Sequence, residues 1–179
     1  KGKMVESPEK PERAEILLSS ITKTGHILIE TQQHNLLHIH AIHDNGYLNF
    51  LQSAWRKWNA TDNASHEVIP NIHPGRNMNA PPKSLISASG YYQADTACPI
   101  GPGTWSAVVA AANTAISGAE MVLSNINSAN MADFAYCLCR PPGHHAYSDQ
   151  AGGFCFLNNC AIAAQFFLQN GLKKIAILD

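Results

Sequence analysis

The sequence predicts an α/β fold with a mostly parallel central sheet, and three observations predict it. Phe134 to Leu138 and Lys174 to Leu178 are continuous apolar runs of strand length, and the Ala-rich stretch Asn158 to Gln169 between them is helical. That order is strand, crossover helix, strand, the right-handed unit of parallel sheets. Strands apolar on both faces need helices covering both sides. With 179 residues, 45% apolar and 14% charged, the chain has material for one domain with a substantial core.

Pro11 followed by Glu12, Arg13, Ala14 and Glu15 is a helix start. Proline suits the first turn, and acids suit the positive end of the helix dipole. The helix should run to about Thr24 and end at Gly25. His26 to Thr31 is a short β-rich run. Asp44 to Trp58 is predicted helical because Leu48, Leu51, Trp55 and Trp58 recur at spacings of three and four. Residues 59–102 have weak periodicity and carry Pro70, Pro74, Pro81, Pro82, Pro99 and Pro102. So long a loop in a compact domain usually has a functional or interface role. Gly103 precedes Thr104, a candidate N-cap, and a helix should follow to about Leu123 with Trp105, Val108, Val109, Ala112 and Ile116 on one face.

Charge excludes one class of partner. Twelve Lys and Arg against 13 Asp and Glu give a net charge of -1, with no basic run, so the footprint of a nucleic-acid binder is missing. By sequence no run approaches the roughly 20 apolar residues of a membrane span. Lys1 to Arg13 is polar and Pro-rich, unlike a signal peptide. The expectation is a cytoplasmic protein. An odd set of cysteines, Cys98, Cys137, Cys139, Cys155 and Cys160, predicts reduced thiols rather than a disulfide framework. Asn59-Ala60-Thr61 and Asn63-Ala64-Ser65 fit the glycosylation sequon, a pattern common by chance. The chain lacks an initiator Met, and the run Lys174 to Asp179 stops where a loop should begin. It reads as a fragment.

In open α/β sheets, ligands bind beyond the carboxyl ends of the strands. Two places qualify on one edge: the loop Arg140-Pro141-Pro142-Gly143-His144-His145 and, after the second run, Asp179. If the strands are neighbours, their axes lie about 4.8 Å apart, within reach of an aspartate–imidazole contact. A carboxylate on one ring nitrogen raises the basicity of the other, as a general base requires. Paired histidines in a Pro-Gly loop are ordinarily just exposed. Here Pro141 and Pro142 stiffen the loop, Gly152-Gly153 permit close approach of a substrate, and Phe154 and Phe156 offer an apolar wall.

The string RPPGHHAYSDQAGGFCFLNN, followed by a helix and KKIAILD, closely resembles the histone deacetylase superfamily, specifically its bacterial acetylpolyamine amidohydrolase and class II deacetylase branches. GYYQADTACPIGPGTW, HDNGYLNFLQSAWRKW and KPERAEILL resemble the acetylpolyamine branch in particular. The resemblance covers nearly the whole chain. It implies a three-layer arginase-like α/β fold, of which residues 1–179 are the N-terminal portion of one deacetylase domain, and zinc-dependent removal of acetyl groups from amines.

By the same resemblance His145 matches the family's general base and acid, and His144 its electrostatic partner. Asp179 matches the aspartate that orients His144 and helps hold a monovalent cation such as K+. Gly153 and Phe154 match the wall of the channel gripping the alkyl chain. The family's zinc ligands and its oxyanion-stabilising tyrosine fall after Asp179, so the Zn2+ ligands are expected outside this chain. The acidic residues that draw a cationic polyamine are reduced here to Asp95 between Leu85 and Thr104. The resemblance further implies a small acetylated amine as substrate, and a homodimer to which the loop 59–102 contributes.

Other patterns read more simply. His38, His40 and His43-Asp44 superficially suggest a metallo-β-lactamase motif, but the order fails. His38 and His40 would share a face of an extended segment and could meet a cation, against the simpler reading as partly exposed residues. Cys137 and Cys139 read as core residues, as does Cys155, although it lies beside the glycine pair. Trp55 and Trp58 read as core or interface. Gly101-Pro102-Gly103 fits no phosphate loop. The rival to an enzyme is a truncated chain acting as a binding or dimerisation module, and hydrolysis of another amide is a third reading.

Overall fold

A computed structural model describes residues 7, 9–74, 80–128 and 134–179. Most of the segment before Pro11 and part of the expected long loop, 75–79, lie outside the described residues. Two compact units divide the chain, Lys1–Thr31 and Gln32–Asp179.

The first unit contains α1, Pro11–Lys23, which begins on its proline with Glu12 in the first turn. The Thr24 N–H closes it on the Ile21 carbonyl at 3.1 Å. No residue of α1 is buried. His26 to Thr31 follows without helical or ladder structure, and Ile27 is 88% exposed.

The second unit is built from α2 (Leu37–His40), α3 (Asn45–Asn59), α4 (Leu85–Tyr92), α5 (Thr104–Ser128) and α6 (Asn159–Gln169). Caps explain the starts of α3 and α6. The Asp44 carboxylate accepts the Gly46 and Tyr47 N–H groups at 2.7 and 3.2 Å, and Asn158 Oδ1 accepts the Ala161 N–H at 3.0 Å. α5 packs on α6, α3 on α4 and α2 on α6. The core gathers Tyr47, Leu48 and Leu51 of α3, Val108, Ala112 and Ile116 of α5, and Ile162 and Phe166 of α6. Each fully buried Val, Leu or Ile contributes about 1.5–3 kcal/mol.

Three expectations change. Residues 59–102 are not without regular structure: α4 lies within them, capped by Ser84 Oγ accepting the Ser87 N–H at 3.2 Å. Val68 and Ile100 also form an antiparallel bridge across the stretch. Second, Thr104–Ile126 of α5 is long and apolar enough to cross a membrane by length and composition. In this unit that apolarity is spent on packing, with Val108, Ala111, Ala112, Ala115, Ile116 and Ala119 buried. Third, Phe134 to Leu138 and Lys174 to Leu178 carry no ladder, and no β-strand occurs among the described residues. An extended apolar run becomes a strand only when a neighbour pairs with it. Cys139 still ties the first run to α5, its thiol donating to the Ala111 carbonyl at 3.3 Å.

Candidate active site

The histidine loop is held from several sides. The Gly143 N–H donates to Cys155 Sγ at 3.3 Å, and Asn159 Nδ2 donates to the Pro141 and Pro142 carbonyls at 3.0 and 2.8 Å. Asn158 Nδ2 donates to the Ala146 carbonyl at 3.2 Å. The residues that open α6 therefore also grip the loop ahead of it. Proline carbonyls suit this role because proline leaves only its acceptor to satisfy.

His144 and His145 stand edge to face, ring centroids 4.3 Å apart. Asp179 Oδ1 lies 3.8 Å from His144 Nδ1, with side chains 76% and 44% exposed. That separation is an ion-pair distance, longer than a hydrogen bond, and at this exposure water screens it. The structure thus brings together the two histidines and the aspartate that the sequence singled out.

Gly153 and Phe154 form the centre of a tight turn. Gly152 and Cys155 exchange both backbone bonds, at 3.0 and 2.8 Å, and the central residues have φ of +52° and +69°. Two positive φ values mark a type I′ turn, which ordinarily takes Asn or Gly at both positions. Phe154 there stores about 1–3 kcal/mol of strain, a cost met most often at functional sites. Gly153 is required for a second reason: a Cβ on it would sit 2.6 Å from His145 Cδ2. The imidazole lies flush against the glycine backbone.

Sequence reasoning missed what anchors this turn. Asp95 Oδ2 accepts the Gly153 N–H at 2.9 Å while its Oδ1 accepts the Ala97 N–H at 2.7 Å. A parallel bridge joins Gln93 to Ala151, and Gln150 Nε2 donates to the Tyr91 carbonyl at 3.1 Å. The chain leaving α4 therefore runs along the turn, and Asp95 spends both carboxylate oxygens inside the protein. The readable signal was its Asx pattern, a bond to the N–H two residues on.

The remaining candidates resolve into structural roles. His38 and His40 lie on helical α2, where residues two apart do not share a face. Their Nδ1 atoms pair with Gln169 Oε1 at 2.6 Å and Asn45 Oδ1 at 2.7 Å. Trp55 and Trp58 donate their indole N–H groups to the His66 and Ser65 carbonyls at 3.3 and 3.2 Å. All five cysteines are free, with Cys98 and Cys155 buried. Burial pushes the Cys98 and Cys139 thiols up to about 12, so both stay protonated and unreactive near neutral pH.

Comparison with known proteins decides the family. Residues 7–179 match the histone deacetylase domain. The chain belongs to the histone deacetylase family. Within that family it is 41% identical to acetylpolyamine amidohydrolase 2 of Pseudomonas aeruginosa, over 96% of this chain and 48% of the relative. It is 38% identical to the acetylpolyamine amidohydrolase of Mycoplana ramosa, over 99% and 51%. The crystal structure of an acetylpolyamine aminohydrolase from Burkholderia pseudomallei superposes with a TM-score of 0.85 at 36% identity, over 94% of this chain and 47% of that one. The HDA15 HD domain, 18% identical with a TM-score of 0.63 over 96% and 39%, shares the fold. The chain spans about half the length of the acetylpolyamine relatives it matches, and over that half it takes the histone deacetylase fold.

Among the described residues no group of three or more His, Cys, Asp or Glu is placed to hold a metal ion. Catalytic zinc takes three protein ligands and keeps one position open. These residues do not supply that set.

Proposed function

We propose that this chain carries the proton-transfer part of a zinc-dependent amidohydrolase acting on acetylated polyamines or acyl-lysine-like amines. The observation that carries the proposal is the seating of His145 flush against the strained Gly153–Phe154 turn, beside His144. Relatives named acetylpolyamine amidohydrolases support the substrate class. In the whole domain the extended segments 134–139 and 174–179 pair into the parallel sheet, and the stretch 59–102 contributes to a homodimer.

Amide hydrolysis needs a base to take a proton from the attacking water and an acid to return one to the leaving amine. His145 fills both roles in turn. His144, with the Asp179 carboxylate near its Nδ1, is the electrostatic partner of His145. Phe154 and the Gly153 backbone line the path of the alkyl chain. The chemistry that zinc would supply, polarising the water and the carbonyl, would come through ligands outside these residues.

The test is turnover of acetylputrescine, acetylspermidine and an acetyl-lysine peptide by the intact protein and its His145→Ala variant. Turnover should fall by roughly 10² to 10⁴ with zinc content unchanged. Near-normal turnover in the variant removes His145 from the reaction. Failure of the unmodified protein on all three substrates removes the proposed substrate class.

A further inference from the structure

His43 is a buried titratable group that the proposed reaction does not use. It is 3% exposed, and both ring nitrogens are engaged. On one edge the Asn158 N–H donates to Nε2 at 3.0 Å. On the other, Nδ1 faces the Ser148 carbonyl oxygen at 3.3 Å. An N–H can only donate and a carbonyl can only accept. The ring must therefore carry its proton on Nδ1 and leave the Nε2 lone pair bare. A second proton would set N–H against N–H.

The partners of this ring flank the catalytic candidates. Ser148 lies three residues after His145, and its carbonyl also accepts the Asp44 N–H at 2.8 Å. Asn158 caps α6 through Oδ1 and holds the Ala146 carbonyl through Nδ2. The loop is thus pinned at Ala146 and at Ser148, and His43 joins the second pin to the residue that makes the first. The Tyr47 ring, centroid 5.8 Å away, packs beside the imidazole, and its hydroxyl donates to the Phe156 carbonyl at 2.7 Å.

We infer that His43 is a positioning residue: in its neutral Nδ1–H form it clamps the segment after His145 to the start of α6 and so sets where His144 and His145 stand. The inference rests on the amidohydrolase reading for its consequence, although the clamp itself does not. Displacing a proton shuttle by about 1 Å costs about 10²-fold in rate, so a clamp of this kind acts on kcat rather than on substrate affinity. Burial holds the His43 pKa below its ordinary value, in keeping with a ring that works uncharged.

The experiment uses the intact protein labelled with ¹⁵N-histidine. At neutral pH one histidine should show a protonated Nδ1 and an unprotonated Nε2, and its signals should vanish in His43→Gln. In turnover of acetylputrescine, His43→Phe should lower kcat about 10- to 100-fold with KM within about twofold. His43→Gln, whose side-chain oxygen can still accept the Asn158 N–H, should recover part of the loss. A protonated Nε2 on His43 overturns the clamp. Unchanged kcat in a folded His43→Phe, or equal losses in Phe and Gln variants that track lowered melting temperature, overturn the positioning role. Should His43→Phe not fold, the Gln variant and the tautomer decide. Should the unmodified protein hydrolyse no acetylated amine, the amidohydrolase reading fails and the tautomer alone tests the clamp.

Discussion

A histidine held neutral by burial leaves a mark on stability as well as on geometry. Desolvation lowers the folded pKa of His43 below its ordinary value of 6.5, the value in an unfolded chain. Between the two pKa values the unfolded state binds more protons than the folded one. Stability contributed by this group therefore rises with pH through that window, and is lost as pH falls below about 6.5. The slope is at most about 1.4 kcal/mol per pH unit for one group. His43→Gln removes the titration, so its melting temperature should fall less between pH 7 and pH 5.5 than that of the unmodified protein. Parallel falls in the two proteins would show that His43 does not titrate in this way. The partners of His43 explain why the role was illegible in the sequence. They lie 105 and 115 residues away, whereas the sequence offered only two nearby histidines, His38 and His40. Those two turned out to serve Gln169 and Asn45.

At the scale of elements, the turn Gly152 to Cys155 and the chain after α4 act together. Gly153→Ala carries two penalties, strain at φ +52° and a Cβ 2.6 Å from the His145 ring. Gly171 makes a matched control, with φ +96° and nothing within 4 Å of an added Cβ. Both substitutions should lower the melting temperature of the intact protein, and only Gly153→Ala should also cut kcat, by about tenfold or more. Equal kcat in the two variants would detach the turn from the histidines. The starts of α3, α5 and α6 were legible within one residue. Asp44 and Asn158 are strong N-caps and the apolar spacing of three and four is unbroken. α4 escaped notice because Leu85–Tyr92 buries small residues, Ala88, Ser89 and Gly90, which carry no apolar periodicity. Its cap, Ser84, was readable but stood among prolines. The apolar runs at 134–138 and 174–178 read as buried strands, yet both are exposed or half-buried and carry no ladder among the described residues, because pairing and covering depend on residues distant in sequence. Of the candidate site, the double histidine, Gly153, Phe154 and Asp179 were nominated through their motif, whereas Asn159 and His43 bond to residues distant in sequence, and Asp95 offered only its local Asx turn and not its bond to Gly153.

For the molecule as a whole, the decisive fact is how much apolar surface residues 1–179 leave in water. Tyr136 is 61% exposed, Ile177 55% and Leu178 96%, in segments that are extended and carry no ladder. Extended apolar backbone with unpaired N–H and C=O groups is a template for association with another chain. Residues 1–179 should therefore self-associate as their concentration rises, by sedimentation velocity. On the proposed reading that the zinc ligands lie outside these residues, residues 1–179 should also hold far less than one zinc per chain by elemental analysis. A catalytic site takes three protein ligands, and the described residues assemble no such group. The histidines nearest the turn are poor substitutes, since His145 needs a free nitrogen to move protons. Without metal, imidazole alone does not make water a strong nucleophile near neutral pH, so on that reading residues 1–179 by themselves should leave acetylputrescine intact, and the turnover assays proposed above belong to the protein that supplies those ligands. A monodisperse monomer with one zinc and chelator-sensitive turnover would contradict this. It would mean that ligands within these residues rearrange on metal binding, and Asp179, His144 and His145 would be the first to substitute and assay for retained zinc.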